Sequence, residues 1–148
     1  MEDPRIEMQA ALKQAMINKE AMRRDVLRMT ISAFKQVEID ERRELSADDA
    51  VVILQREVKK RRESVDEAIK AGRPDIADDE AAEVAILEAF LPEQMSREEI
   101  AALVQAAIAE TGAQSAKEMG KVMSVLMPKV KGKADGKLVN EVVRSLLL

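Results

Sequence analysis

The chain of 148 residues contains no cysteine and no histidine. The first absence excludes disulfides, thiolate nucleophiles and cysteine metal sites, and it is compatible with the cytoplasmic location expected here. The second removes the commonest general base and the commonest transition-metal ligand. Tryptophan and tyrosine are also missing, so Phe34 and Phe90 are the whole aromatic complement. Stacking on unpaired bases is therefore not expected. Any core has to be built from Leu, Val, Ile, Ala and the nine Met, and methionine fills gaps while specifying packing loosely. No uninterrupted apolar run approaches the ~20 residues needed to span a bilayer, so no membrane partner is expected. The N-terminal MEDPRIEMQ is acidic and lacks an apolar centre, unlike a secretory signal.

Glycine and proline are scarce, at 5 and 4 residues. Ala, Glu, Lys, Arg and Leu are common and apolar residues recur at helical spacing, which predicts an all-α protein. Asp3-Pro4 reads as a helix start, and the helix runs to about Asn18. A second is expected from about Glu20 through Val26, Leu27, Met29, Thr30, Ile31, Phe34 and Val37 to about Glu41. Asn18 is the one weak point between the two. Ser46 opens a third, with Asp49 three residues on as a short relative of the capping box. It presents Val51, Leu54, Val58, Val65 and Ile69 in steps of three, four and once seven, as a long helix packed on another would. Arg56, Lys59, Lys60, Arg61 and Arg62 lie midway along it. At ~100° per residue, four successive cations wrap most of the way round the helix. At least one must lie near the packed face, and the run is expected to pair with neighbouring carboxylates. Ala71-Gly72-Arg73-Pro74-Asp75 reads as a turn. The next helix carries Ile76, Val84, Leu87 and Phe90, with Asp78, Asp79 and Glu80 expected in its first turn. Pro92 stops it at Leu91.

Past Pro92 the texture changes. Ser96-x-x-Glu99 is a full capping box opening a helix with Ile100, Leu103, Val104, Ala107 and Ile108, which Gly112 ends. Ser115-x-x-Glu118 reads as a second box, opening a helix from Met119 to Met127. Asp135 is expected to cap the last helix, through Leu138 to Leu146. The predicted organisation is an elongated N-terminal helical domain over 1–92 and a C-terminal three-helix bundle over 95–148. The bundle is near the lower size limit for folding alone. The stripe Met119, Met123, Met127 is read as core.

Net charge is −4 but unevenly placed. Residues 119–148 carry Lys121, Lys129, Lys131, Lys133, Lys137 and Arg144 against Asp135 and Glu141, a balance of +4, which leaves −8 elsewhere. Between two amphipathic runs lies an expected loop with Pro128, Gly132, Gly136 and three of these lysines. Lys121, Lys129, Lys131, Gly132, Lys133, Gly136 and Lys137 are the candidate nucleic-acid-binding residues. The lysines could hold phosphates as mobile point charges, and the glycines would let backbone come close. The competing reading is a solvated connector whose glycines serve turn geometry. Asp135 opposes a phosphate seated directly on the last helix, because its carboxylate would occupy that N-terminus.

Catalytic chemistry finds no complete set of residues. Ser32-Ala33-Phe34-Lys35 matches Ser-x-x-Lys without its companion motifs. Asp78, Asp79, Glu80 and Glu83 could at most ligate Mg²⁺ weakly. Neither Gly132-Lys133 nor Gly136-Lys137 has P-loop spacing. No catalytic residue, metal or cofactor is expected.

Leu91-Pro92-Glu93-Gln94, Met119-Gly120-Lys121-Val122-Met123 and the run from Met127 through Lys131-Gly132-Lys133-Ala134-Asp135-Gly136-Lys137 to Asn140 resemble the GatB/YqeY family. The match is to YqeY-like proteins over the whole chain, including the charged helix Gln55 to Arg61. The C-terminal part is also similar to the tail domain of the B subunit of the glutamine-dependent aminoacyl-tRNA amidotransferase, and that likeness implies contact with tRNA. Ser124, where the family often has Gly or Ala, is read as a small packing position. The resemblance and the +4 end lead to one expectation. It is a non-catalytic accessory protein engaging tRNA, or a tRNA-handling enzyme, through the basic C-terminal loop. Two alternatives stay open. One is a protein-interaction adaptor that touches no RNA. The other, implied by resemblance alone, is a contributor to carbon–nitrogen ligation with glutamine as amido donor.

Overall fold

Asp3 accepts a hydrogen bond from the Arg5 amide at 3.0 Å, and Pro4 takes the first helical position. Helix α1 (Pro4–Ile17) thus begins where a cap and a residue with no amide hydrogen both favour a start. The computed structural model describes residues 2–148. The regular elements among them are helical. Asn18 closes α1, and Lys19 turns left-handed at φ +56°, so α2 (Ala21–Glu41) is a separate helix. Ser46 and Asp49 form a complete reciprocal box at the start of α3 (Ala47–Lys70), with bonds of 3.1 and 3.2 Å. Helix α4 (Pro74–Glu88) begins earlier than expected, because Pro74 is already at its first position. Its first-turn acid is therefore Asp75, and Asp78, Asp79 and Glu80 fall later. The remaining helices are α5 (Arg97–Thr111), α6 (Met119–Val130) and α7 (Gly136–Leu146), with a short 3₁₀ turn at Ala116–Glu118.

The chain divides into two compact units, Met1–Leu91 and Pro92–Leu148. In the first, α1 packs on α2 and α3, and α4 packs on α3 and α2. Met8, Leu27, Leu54 and Leu87 are fully buried there with Phe34, while Phe90 packs half-buried at the edge. Among the described residues Thr30 is the one buried polar side chain, and its hydroxyl donates to the Val26 carbonyl at 2.9 Å. The buried stripe of α3 runs Val51, Leu54, Val58 and then Ala68, not Ile69, which is 62% exposed. The reason lies in the step of seven. Arg61, whose side chain is only 15% exposed, fills the gap between Val58 and Val65 and pairs with Glu83 of α4. The three–four alternation continues through it to position 68, so position 69 turns to solvent. Met29 and Ile76 are exposed as well.

In the second unit α5 packs on both α6 and α7 around Ile100, Val104, Val122, Leu126, Val139 and Val143. Several expectations are corrected here. Ser115 caps nothing with its side chain, because the 3₁₀ turn intervenes and the Glu118 amide is held by the Ser115 carbonyl at 3.0 Å. The Glu118 carboxylate instead accepts from the Gln114 amide at 2.6 Å. Pro128 lies inside α6, not in a loop. Proline removes one hydrogen bond, but burying Val130 to 1% exposure holds the last turn in place. Met127 is 39% exposed, so only Met119 and Met123 of the methionine stripe pack on the core, and both are half-buried. Ser124 is exposed, its hydroxyl donating to the Gly120 carbonyl at 2.9 Å, and is not a packing position.

Two outcomes are expected. Phe34→Ala should cost about 3–5 kcal/mol in denaturant unfolding, because losing a fully buried ring leaves a cavity in an otherwise mainly aliphatic core. Asp49 is pulled from 3.8 to about 2, first by the Arg43 guanidinium at 2.7 Å and then by the Ser46 amide. A carboxyl lowered on folding stabilises fully above its unfolded pKa and loses that effect as pH falls through the folded one. Between pH 3.8 and about 2 the parent should therefore lose stability that Asp49→Asn never had. Thermal melts across that window would read the difference.

Candidate functional site

The candidate lysines stand on three different kinds of backbone. Lys129 belongs to the last turn of α6 and Lys121 to its first, about 12 Å apart along the axis. Lys131 and Lys133 project from the connector between α6 and α7, and Lys137 sits in the first turn of α7. Lys131, Lys133 and Lys137 thus come together within seven residues, with Lys129 adjoining, while Lys121 stands apart. All five side chains are exposed.

The connector is tightly built. Val130 ends α6 as a buried residue, and its carbonyl accepts from both the Lys133 and Ala134 amides at 2.9 and 3.0 Å. Gly132 makes the reversal at φ +77°, a left-handed conformation that side-chain-bearing residues rarely adopt. Ala134 points inward at 7% exposure. A segment just before α5 then clamps the connector from outside. The Met95 amide donates to the Lys133 carbonyl at 2.8 Å, and the Gln94 carboxamide donates to the Gly132 and Pro92 carbonyls at 3.0 Å each. With its carbonyl taken and its Cα buried, Gly132 offers no backbone surface to a ligand. Gly136 is exposed, with open space where a Cβ would stand. Asp135 caps α7, accepting from the Lys137 amide at 3.4 Å.

Charge neutralisation distinguishes the lysines. Lys129 lies 3.9 Å from Glu110, with both side chains at least half exposed, a contact of the kind that contributes little. Lys121, Lys131, Lys133 and Lys137 stand in no ion pair among the described residues. The Arg56–Arg62 run behaves differently. Arg61 is taken by Glu83, Arg62 by Glu88 and Lys60 by Glu57. Glu83 is thereby removed from the acidic residues that could ligate Mg²⁺. No group of three or more metal-ligating side chains is disposed to hold an ion among the described residues. An open cleft of about 250 Å³ beside α1 and α2 has Ile31 and Phe34 on its floor. Its carboxylates serve the fold: Asp3 caps α1 and binds Arg5, and Glu38 accepts from the Leu45 amide.

Gln94 is an anchor of this site that sequence reasoning does not find. Nothing in its spacing connects it to a carbonyl 38 positions further on. The only signal is its place in the Leu-Pro-Glu-Gln run before the α5 capping box.

Comparison with protein families matches the YqeY-like protein model to residues 5–147. Comparison with curated proteins finds no match.

Gln94→Ala should lower the stability of this unit by about 0.5–1.5 kcal/mol, the usual contribution of a hydrogen bond. Gly132→Ala should cost about 1–2 kcal/mol from left-handed backbone alone. Amide exchange at Met95, whose hydrogen is held by the Lys133 carbonyl, should quicken in both variants.

Proposed function

Since the chain belongs to the YqeY-like family, we propose that it is a non-catalytic accessory protein that docks folded RNA, with tRNA the leading ligand. The contact would be the lysine-bearing connector of the C-terminal unit. The observation that carries this reading is the trio Lys131, Lys133 and Lys137, exposed and without carboxylate partners among the described residues, the first two on a connector held by Gln94 and Met95 and the third in the first turn of α7. Ammonium groups on a firm base attract phosphates while losing little backbone freedom on binding. The Asp135 cap argues that phosphates would meet side chains rather than the amides of α7. With no tryptophan or tyrosine in the chain, recognition would rest on phosphates and shape rather than base stacking. A tRNA-handling enzyme is the companion expected at the same surface.

A second reading, a protein adaptor that touches no RNA, is favoured by residues 1–91, which carry 16 cations against 21 acids. A partner that survives nuclease treatment, with no tRNA enriched, would select it. A contribution to glutamine-dependent carbon–nitrogen ligation rests on resemblance alone. It fails if the chain leaves transamidation by the purified enzyme unchanged.

The test is a salt titration with total tRNA. Lys131→Glu/Lys133→Glu/Lys137→Glu should weaken binding. The slope of log affinity on log salt should become shallower by about 0.7–0.9 for each phosphate that the variant no longer neutralises. Unchanged affinity in a variant of native helicity overturns the docking reading.

A further inference from the structure

The register of the first unit brings two turns to one end. The loops joining α2 to α3 and α3 to α4 are short, so successive helices run antiparallel. On α3, the Arg61 guanidinium lies 4.0 Å from the Met29 sulfur of α2 and pairs with Glu83 of α4. These three residues therefore mark one level. Met22 lies seven residues back from Met29, Ile69 eight on from Arg61, and Ile76 seven back from Glu83. At 1.5 Å per residue all three stand about 10–12 Å further in the same direction. Met16 and Ile17 close α1 at that end, with the Met16 sulfur 3.6 Å from the Arg28 guanidinium.

All five of these apolar side chains are exposed: Met16 by 49%, Ile17 by 63%, Met22 by 42%, Ile69 by 62% and Ile76 by 38%. Apolar residues scattered singly over a surface need no explanation, but a group gathered at one end marks an interaction surface. Its flanks differ in sign. Residues 13–25, at the α1–α2 turn, carry Lys13, Lys19, Arg23 and Arg24 against Glu20 and Asp25, a balance of +2. Residues 73–80, at the start of α4, carry Asp75, Asp78, Asp79 and Glu80 against Arg73, a balance of −3. Arg23, Arg24 and Asp75 have neighbours of opposite charge. Lys13, Lys19, Asp78 and Asp79 have none among the described residues. Helix α1 packs chiefly on α2 and helix α4 chiefly on α3, with little or no packing of α1 on α4, so the positive and the negative edge belong to helices that are not packed on each other.

We propose that this end of the N-terminal unit joins a second copy of the chain about a two-fold axis. The Lys13–Lys19 edge of each protomer meets the Asp78–Asp79 edge of the other, and Met16, Ile17, Met22, Ile69 and Ile76 close the centre. A surface with an apolar middle and opposite signs on its two sides is complementary to itself under a half-turn, the commonest symmetry of soluble oligomers. A partner that was simply acidic or simply basic would satisfy one flank and be repelled by the other.

Sedimentation of the full chain over a concentration series, at low and high salt, tests this. The average mass should rise from 16.4 kDa toward twice that value, less readily at high salt. Ile69→Glu, or Met22→Glu as an independent substitution, should weaken association by about tenfold or more. Lys13→Glu/Lys19→Glu and Asp78→Lys/Asp79→Lys should each weaken it, and all four substitutions in one chain should restore it. The sites are exposed, so helicity and melting should stay close to the parent. A chain that remains at 16.4 kDa throughout overturns the proposal and leaves that end to a different protein. A dimer indifferent to both Ile69→Glu and Met22→Glu, or a fourfold charge exchange that fails to restore association, overturns it equally.

Discussion

The amide of Met95 donates to the carbonyl of Lys133 at 2.8 Å, and the carboxamide of Gln94 donates to that of Gly132 at 3.0 Å. These bonds turn an otherwise open stretch between α6 and α7 into a fixed feature of the C-terminal unit. They satisfy two carbonyls that the left-handed turn at Gly132 would otherwise leave without an intrahelical partner. They also fix which way the connector faces. Ala134 and Val130 go inward, and the alternating lysines are left on the outside. The positive surface is thus a by-product of backbone bonding. Moving the 92–95 segment would move every cation of the connector with it.

Much of the architecture was legible in the sequence because it depends on local chemistry. Asp3-Pro4, Ser46 with Asp49, Ser96 with Glu99 and Asp135 all cap the helices they were expected to cap. The all-α class followed from period and composition. What escaped depends on packing across the chain. Pro128 looked like a stop, but burial of Val130 outweighs its missing hydrogen bond. Ser115 and Glu118 had the spacing of a cap without the geometry, since spacing does not reveal a 3₁₀ turn. Of the candidate site, the exposure of the five lysines fitted their sequence context. That Gly132 would be buried, with its carbonyl held by Gln94, could not be read, because it depends on an approach between distant residues.

The two basic runs of this chain show why charge in a sequence is an ambiguous guide to binding. Arg61 and Arg62 face an acidic neighbour helix and are answered by Glu83 and Glu88. Lys131, Lys133 and Lys137 have Asp135 and Glu141 close by in sequence, but none of the three pairs with either among the described residues, and the Asp135 carboxylate accepts from the Lys137 amide at the start of α7. Residue type is not what separates them. It is whether the fold delivers carboxylates to the same place.

The seam between α3 and α4 carries a charged pair, Arg61 with Glu83, within an otherwise aliphatic stripe. Stripping water from a guanidinium and a carboxylate becomes less costly on heating, whereas the gain from buried hydrocarbon levels off. The relative share of this seam in holding the N-terminal helices together therefore grows as the molecule warms, and α3 with α4 should be the hairpin that stays joined longest near the melting point.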